Sequence, residues 1–292
     1  MENLNTTNFI AKPETTLAAM QTSIDLGKTK DEICEALKKT SKKLSRLQEK
    51  MFANNRYSVL ICLQGMDTSG KDSLIREVFK RFNARGLHVY SYKTPTSTEL
   101  EHDYLWRHYI ALPERGKFSV YNRSHYENVL VSRVHPEYVL SENLPGIHEV
   151  EDIKDGLWQQ RFEQINNFEK HIAQNGVIVF KFFLYISKSE QKRRLLRRLD
   201  NEKHNWKFAP SDLEEREHWD AYIKYYEEAI KNTSKPHAPW YIIPADDKPT
   251  ARFLVANTIF DVLQKYDIAA PEVADEVLEN INKYRQQLRS EK

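Results

Sequence analysis

The chain is 292 residues long, with 44 Lys and Arg set against 42 Asp and Glu and a formal net charge of +2. That length carries one large domain, or one and a half, with ample chain for a core. A hydrophobic share of 40%, with 15 Tyr and 13 Phe, excludes a disordered chain, and the near-balance of charge means that partners must be read from where charges fall.

Residues 1–28 are polar and are expected to lie loosely over the surface. They carry neither the basic nor the apolar region of a secretory leader. Thr29-Lys-Asp-Glu32 is a capping box. After it, Ile33, Leu37, Leu44, Leu47 and Met51 mark one face of a helix ending near Asn54-Asn55. The β-branched run 57–63 reads as the first core strand. Leu74, Ile75, Val78, Phe79 and Phe82 then recur at helical steps. Further strands fit 87–93 and 117–121, with a helix over 99–112 that stops before Pro113. Trp158, Phe162, Ile165, Phe168 and Ile172 form another amphipathic face.

Residues 176–186 are apolar almost throughout, the pattern of a parallel strand covered on both faces. The run is too short to span a bilayer and is broken by Lys181. A fifth strand fits 239–243, and 272–292 is a charged terminal helix that could pack on the body or on a partner chain. Strands alternating with helices predict an α/β fold: a five-stranded parallel sheet between two helical layers. The expected divisions are an N-terminal segment and helix (1–56), a core (57–270) and the terminal helix (271–292). With two cysteines, Cys34 and Cys62, and no candidate span, a soluble cytoplasmic protein without a membrane partner is expected.

Gly65-Met-Asp-Thr-Ser-Gly70-Lys71 is a G-x-x-x-x-G-K loop between a strand and a helix. In that setting backbone N–H groups and a helix N-terminus converge on one anion. Gly65, Gly70 and Ser73 are therefore expected at a bound phosphate. Lys71 is the point charge on the transferring group, or, more plainly, a solvated lysine at a helix start. Most such loops follow the lysine with Ser or Thr as a magnesium ligand, but here Asp72 stands in that place. Asp67 and Asp72 would repel a phosphate unless a metal ion or lysine sat between them, so Asp67 is read as the Mg²⁺-side group.

Asn122-Arg-Ser-His-Tyr-Glu127 follows the third strand. Arg123 emerges at the crevice beside the loop, where its fork suits phosphate oxygens; the alternative is a structural ion pair. His125 reads as a packed or capping histidine. Glu127 suits a metal, a nucleotide sugar, or simply the positive end of a helix. On a helix opened by Ser187 or Ser189, Arg193/Arg197 and Arg194/Arg198 are like-charged i, i+4 pairs. They call for an anion, as a lid over phosphates spanning about 188–215 and hinged at 201–210 would supply. A solvated face partnered by Glu190 and Asp200 is the plainer alternative. Arg107 offers a further cation, while Asp246-Asp247-Lys248 suits either a nucleotide base or a turn.

Together, Gly65 to Asp72, His102-Asp-Tyr-Leu-Trp-Arg-His108, Asn122-Arg-Ser-His-Tyr-Glu-Asn-Val-Leu130, Asn205-Trp-Lys-Phe208, His218-Trp-Asp-x-Tyr222 and Ala238-Pro-Trp-Tyr…Pro-Ala-Asp-Asp-Lys248 resemble the second polyphosphate kinase family, over roughly 57–252. The resemblance implies a P-loop kinase fold similar to thymidylate kinase, with a helical lid. It also implies Mg²⁺-dependent phosphoryl transfer between inorganic polyphosphate and AMP, ADP or ATP. In that family's pattern Asp67, Lys71 and Arg123 are catalytic and the arginine helix is the lid. Asn-Arg-Ser-His-Tyr-Glu, with Glu127, is similar to the subgroup accepting both AMP and ADP. The ADP-preferring subgroup usually reads Asp-Arg-Ser-Trp-Tyr-Asn, so Asn122 and His125 depart from it. Pro249 replaces the aromatic that often follows Asp-Asp-Lys. A homo-oligomer, dimer or tetramer, is also implied.

An ATP-dependent nucleoside monophosphate kinase would share this fold and lid, but Asp72 disfavours a conventional ATP–magnesium grip. A nucleotide switch would need an Asn-Lys-x-Asp base reader, which the chain lacks. The basic residues cluster on one helix and are not interleaved with aromatics along a strand, so no nucleic acid partner is expected.

Overall fold

The apolar run after Tyr57 becomes the centre of the molecule. β1, Ser58–Gln64, is buried along its whole length. The computed structural model describes residues 5–205 and 208–291, so Trp206 and Lys207 of the 205–208 motif lie outside the described residues. β1 is joined by β2 (Leu87–Ser91), β3 (Phe118–Asn122), β4 (Val177–Tyr185) and β5 (Trp240–Pro244). All pairings are parallel, in the order β2-β3-β1-β4-β5. This is the three-layer P-loop kinase arrangement expected from the sequence. The carboxyl end of β1 stands where the strand order reverses, the place at which parallel sheets open a ligand crevice.

Helices cover both faces. α1 (Lys30–Asn54) and α2 (Lys71–Phe79) lie in one layer, and α3 (Asp155–Gln174) in the other. After β4 come α4 (Lys188–Leu199), α5 (Ser211–Glu217) and α6 (Trp219–Thr233); α6 packs beside α3. α7 (Lys248–Leu263) follows β5 and packs on α1 and α2, and α8 (Asp275–Ser290) ends the chain. Val59, Ile61 and Leu63 belong to the large cluster with Leu44, Leu74 and Phe253. Leu60 and Cys62 meet Phe168 and Ile172 of α3. Side chains of this size stabilise the fold by roughly 1.5–3 kcal/mol each when fully buried.

The capping box at Thr29–Glu32 forms as expected, and the strands lie within two residues of their expected limits. Two expectations are corrected. Residues 99–112 do not make one helix but two single turns, Ser97–Leu100 and Trp106–Tyr109. Asp103 interrupts them because its carboxylate accepts the Leu105 N–H at 2.8 Å and holds a local turn. Nor do residues 5–28 lie loosely. Phe9, Ala11 and Leu17 are buried, Ile10 bridges to Tyr241, and the Ala11 N–H donates to the Trp240 carbonyl at 2.8 Å. Helix α1 lies against α7, in the same layer as α2. No residue of α8 is buried, and no helix of the described residues is long and apolar enough to cross a membrane.

Candidate active site

The loop from Gly65 to Lys71 needs two unusual backbone positions. Gly65 has φ 152° and Gly70 φ 109°, and a side chain at Gly65 would approach Ser69 Oγ at 2.8 Å and the Leu184 carbonyl at 2.9 Å. Glycine is the residue that fits both. Lys71 curls back over the turn, donating to the Gly65 carbonyl at 2.7 Å. Burial, and next Arg123, lower its pKa to about 8 against the pull of Asp67. Ser73 Oγ donates to the Gly70 carbonyl at 3.0 Å.

β3 delivers the second group. Register places Asn122 beside Leu63, so the residues after it emerge at the edge of the loop. Asn122 Nδ2 donates to Asp72 Oδ1 at 2.6 Å. Arg123 has φ 64°, a left-handed conformation costly for a residue with Cβ and often found at functional sites. It bridges two carboxylates: Nη2 to Asp67 Oδ1 at 2.9 Å and Nη1 to Glu127 Oε2 at 3.0 Å.

A buried network anchors this turn from below. Glu169 of α3 accepts from Tyr126 OH at 2.8 Å and from Lys181 Nζ at 2.6 Å, and lies 3.2 Å from His125 Nε2. Lys181 also reaches Tyr126 OH and the Thr233 carbonyl. All four side chains are buried. Burial alone would raise the Glu169 pKa, but Lys181 and His125 outweigh it and hold the carboxyl below its usual value. Burial lowers the His125 pKa against the pull of Glu169, in line with a packed histidine.

Above the loop lies a cavity of about 350 Å³ lined by Asp67, Gly70, Lys71, Asp72, Ser73, Asn122 and Arg123. From the far side come Arg194, Arg197 and Arg198 of α4, Asp212 of α5 and Lys248 of α7, with Arg76 at the rim. Ser187 caps α4, accepting the Glu190 N–H at 3.0 Å. Arg194 is only 5% exposed and spends every N–H on protein. Its Nε donates to Glu190, Nη1 to the Thr68 and Ser69 carbonyls, and Nη2 to those of Ala245 and Asp246. It therefore clamps the phosphate loop to the end of β5. Arg197 has no acidic partner among the described residues. Arg198 pairs with Asp212 at 2.9 Å. Burial, and next Asp67, push the Asp212 pKa up, so the two carboxylates feel one another across the cavity.

Four expected residues lie apart from this lining, among them Gly65, which shapes the start of the loop from beneath. Arg193 is turned outward onto Glu190. Arg107 is bound to Glu99 and the Lys93 carbonyl and stacks over Tyr92. Glu127 reaches the cavity through Arg123. Two lining residues were not singled out in the sequence, Arg76 and Asp212, and Lys248, expected there only as part of a base-contacting loop or a turn, lies against the phosphate loop. Of the Asp246-Asp247-Lys248 loop, Asp246 takes the Ser187 N–H and the Thr22 hydroxyl, and Asp247 caps α7. Pro249 sits in the first turn of that helix, where its missing N–H costs nothing. Lys248 points to the phosphate loop, its Cε 3.6 Å from where a Gly70 side chain would begin. Burial, then Arg194 and its neighbours, lower its pKa to about 8.

The donor set fits magnesium. Asp67 and Asp72 both line the cavity, each with its Oδ1 engaged, by Arg123 and by Asn122. No group of three metal-ligating side chains exists among the described residues. Magnesium is commonly held by one or two carboxylates together with substrate phosphates, so such a group is not required.

A glycine-rich loop leading into a helix, with lysine, arginine and carboxylates converging on one cavity, defines a P-loop phosphotransferase. The sequence model of the family Polyphosphate kinase 2 (PPK2) matches residues 27–272, and the chain belongs to that family. It is 42% identical over 275 residues to an ADP-polyphosphate phosphotransferase of Rhodopseudomonas palustris, covering 91% of this chain and 94% of the relative. It is also 42% identical over 238 residues to an AMP/ADP-polyphosphate phosphotransferase of Meiothermus ruber, covering 82% and 84%. The crystal structure of polyphosphate kinase 2 from Arthrobacter aurescens TC1 superposes with a TM-score of 0.87 at 31% identity, covering 96% of this chain and 95% of that one.

Proposed function

We propose that this protein transfers phosphoryl groups between inorganic polyphosphate and nucleotides, making ADP from AMP, ATP from ADP, or both. The observation that carries this reading is the charge of the cavity. Lys71, Arg123, Arg197, Arg198 and Lys248 face it against Asp67, Asp72 and Asp212, an excess suited to a donor and an acceptor that are both polyanions. The named relatives of R. palustris and M. ruber act on ADP or on AMP and ADP, which favours a polyphosphate donor over an ATP-dependent monophosphate kinase.

A terminal phosphate oxygen of the nucleotide attacks the terminal phosphorus of polyphosphate, and the anhydride bond to the next phosphate breaks. The shortened chain leaves with the electrons of that bond. Bound Mg²⁺ would supply charge neutralisation at the phosphate oxygens, with Asp67 as its protein ligand and Asp72 beside it. The loop N–H groups and Lys71 hold the transferring group. Arg123 meets its developing charge, and Arg197 and Arg198 hold the second polyanion in line. The arginine-bearing α4 with α5 serves as the lid that excludes water. Dual use of AMP and ADP rests on the Glu127-type motif, and a homo-oligomer in the cytoplasm completes the reading.

The test is to mix purified protein, Mg²⁺ and long-chain polyphosphate with AMP or ADP separately and follow products by chromatography. ATP from ADP with ADP from AMP establishes both acceptors. ATP from ADP alone removes the reading of Glu127. Phosphorylation of AMP by ATP, with none by polyphosphate, overturns the proposal.

A further inference from the structure

The chain's net charge is only +2, yet its cations are far from evenly spread. The outward face of α1 carries Lys38, Lys39, Lys42, Lys43, Arg46 and Lys50, all exposed. Between residues 38 and 50 the only acid is Glu49. Lys38 has a loose, exposed pair with Glu35 at 3.5 Å, and Lys43 stands over the Phe260 ring at 5.3 Å. The ion pairs of α1 among the described residues are Lys28–Glu32 and Lys38–Glu35, which leaves Lys39, Lys42, Arg46 and Lys50 without one. Like charges at i, i+4 destabilise a helix, so Lys38/Lys42, Lys39/Lys43 and Arg46/Lys50 weaken α1, and the exposed Glu35 pair and the Phe260 ring offset little of it.

This helix packs beside the helix that the phosphate loop opens. α1 is fastened to the end of α2, with Ser45 Oγ donating to the Arg81 carbonyl at 2.8 Å and Gln48 bridging Asn83. The other end of α2 is the phosphate loop itself. Arg76, on the rim of the cavity, begins an exposed series along α2 that continues through Lys80 and Arg81 toward α1. Glu77 pairs with both Arg76 and Lys80 along the way, so the unpaired cations gather on the basic face of α1.

We infer that the exposed face of α1 is an accessory binding surface for the distal part of long inorganic polyphosphate, outside the catalytic cavity. This rests on the proposed polyphosphate donor. A cavity of about 350 Å³ holds only the reacting end of such a polymer and the acceptor. The remainder of the chain leaves the site as a flexible polyanion long enough to reach the basic helix in the same layer as α2, which captures it. Capture on a second surface raises the effective concentration of the chain end at the loop without any new contact to the reacting phosphates. Its strength comes from released counterions and falls with salt.

The experiment compares long-chain polyphosphate with tetrapolyphosphate as donors, in the wild type and in a variant with Lys38→Gln, Lys39→Gln, Lys42→Gln and Arg46→Gln. The expected result is a rise of roughly tenfold or more in KM for the long donor. Its salt dependence should flatten, with kcat, the nucleotide KM and tetrapolyphosphate kinetics unchanged. Unchanged short-donor kinetics also shows that the variant is folded. Should tetrapolyphosphate not serve as donor, its inhibition constant is read in its place. Glu at the same four positions should deepen the effect.

Equal chain-length dependence in wild type and variant would overturn the inference while leaving the proposed function standing. A wild type that transfers nothing from either donor overturns the proposed function itself. The variant could also lose binding to a fluorescent RNA oligonucleotide that excess polyphosphate does not displace from the wild type. The surface would then belong to nucleic acid, and the inference would fall.

Discussion

Asp67 Oδ1 and Arg123 Nη2 are 2.9 Å apart, although one comes from the loop after β1 and the other from the turn after β3. The carboxylate proposed for the metal side and the guanidinium proposed for the phosphate side thus form one electrostatic unit, which Glu127 completes from the other edge of Arg123. Arg123→Ala should lower kcat by roughly a hundred- to a thousandfold. Asp67→Asn should raise the magnesium concentration needed for half-maximal rate. The double variant should lose less than the two single losses multiplied together, because neighbouring groups are coupled. Steady-state rates across a magnesium series measure all three. Independent, multiplicative losses would separate the two roles.

Lys248 adds a second lysine to the cavity lining, set against the phosphate loop. Lys248→Met should raise KM for polyphosphate at least fivefold, about 1 kcal/mol for a lost charge–phosphate contact, while leaving the fold intact. An unchanged donor KM would make Lys248 a structural prop for Arg194.

Both lysines have pKa values lowered to about 8 by burial and nearby cations. A phosphate ligand favours the charged form, so it raises those values on binding. Below pH 8 the lysines are already protonated and donor affinity is at its full level. As pH rises past 8, binding must take up protons and affinity falls. Calorimetry at pH 8.5 in buffers of differing ionisation enthalpy should show net proton uptake. A donor affinity that is flat from pH 7 to 9.5 would contradict the assignment.

Arg194 is a buried clamp with an acid partner and four carbonyl acceptors. Arg194→Met should cost about 3 kcal/mol of stability, since Glu190 and those carbonyls lose their partner. Urea unfolding gives the number, and a loss under 1 kcal/mol would show that the clamp relaxes into water.

Lys181→Met leaves Glu169 charged and fully buried and should cost about 3–5 kcal/mol. Adding Glu169→Gln should restore a good part of it. The same urea series reads both, and no restoration would mean that the network acts through packing alone.

The phosphate loop, five strands and α4 were legible in the sequence because each is a local pattern: a glycine spacing, an apolar run, a capped basic stretch. Lys71, Asp67, Arg123, Asn122 and Arg197 meet because parallel strands end at one edge, and the alternation of strands and helices made that readable. Arg194 was legible as a cation near phosphate, but its clamp depends on the Ala245 and Asp246 carbonyls, fifty residues away in the chain. Lys248 was legible only as part of a base-contacting loop or a turn, for the same reason: its place at the phosphate loop shows only once Asp246 is seen tied to Thr22 and Ser187. Residues 99–112 carried helical periodicity, yet one side-chain oxygen on Asp103 divided them. The burial of Phe9 and Leu17 left no periodic signal, since the N-terminal segment follows the surface of the body and not a period of its own.

That N-terminal segment also guards a border. β5, Trp-Tyr-Ile-Ile-Pro, is the last strand of the sheet, and its outer rim faces the stretch where Ile10 bridges Tyr241 and Ala11 binds the Trp240 carbonyl. An apolar strand with an uncovered rim is a template for pairing with other chains. Shortening the chain from its beginning, or placing a bulky tag close to Phe9, would therefore expose a sticky seam and favour precipitation, even though every residue of the catalytic cavity would still be present.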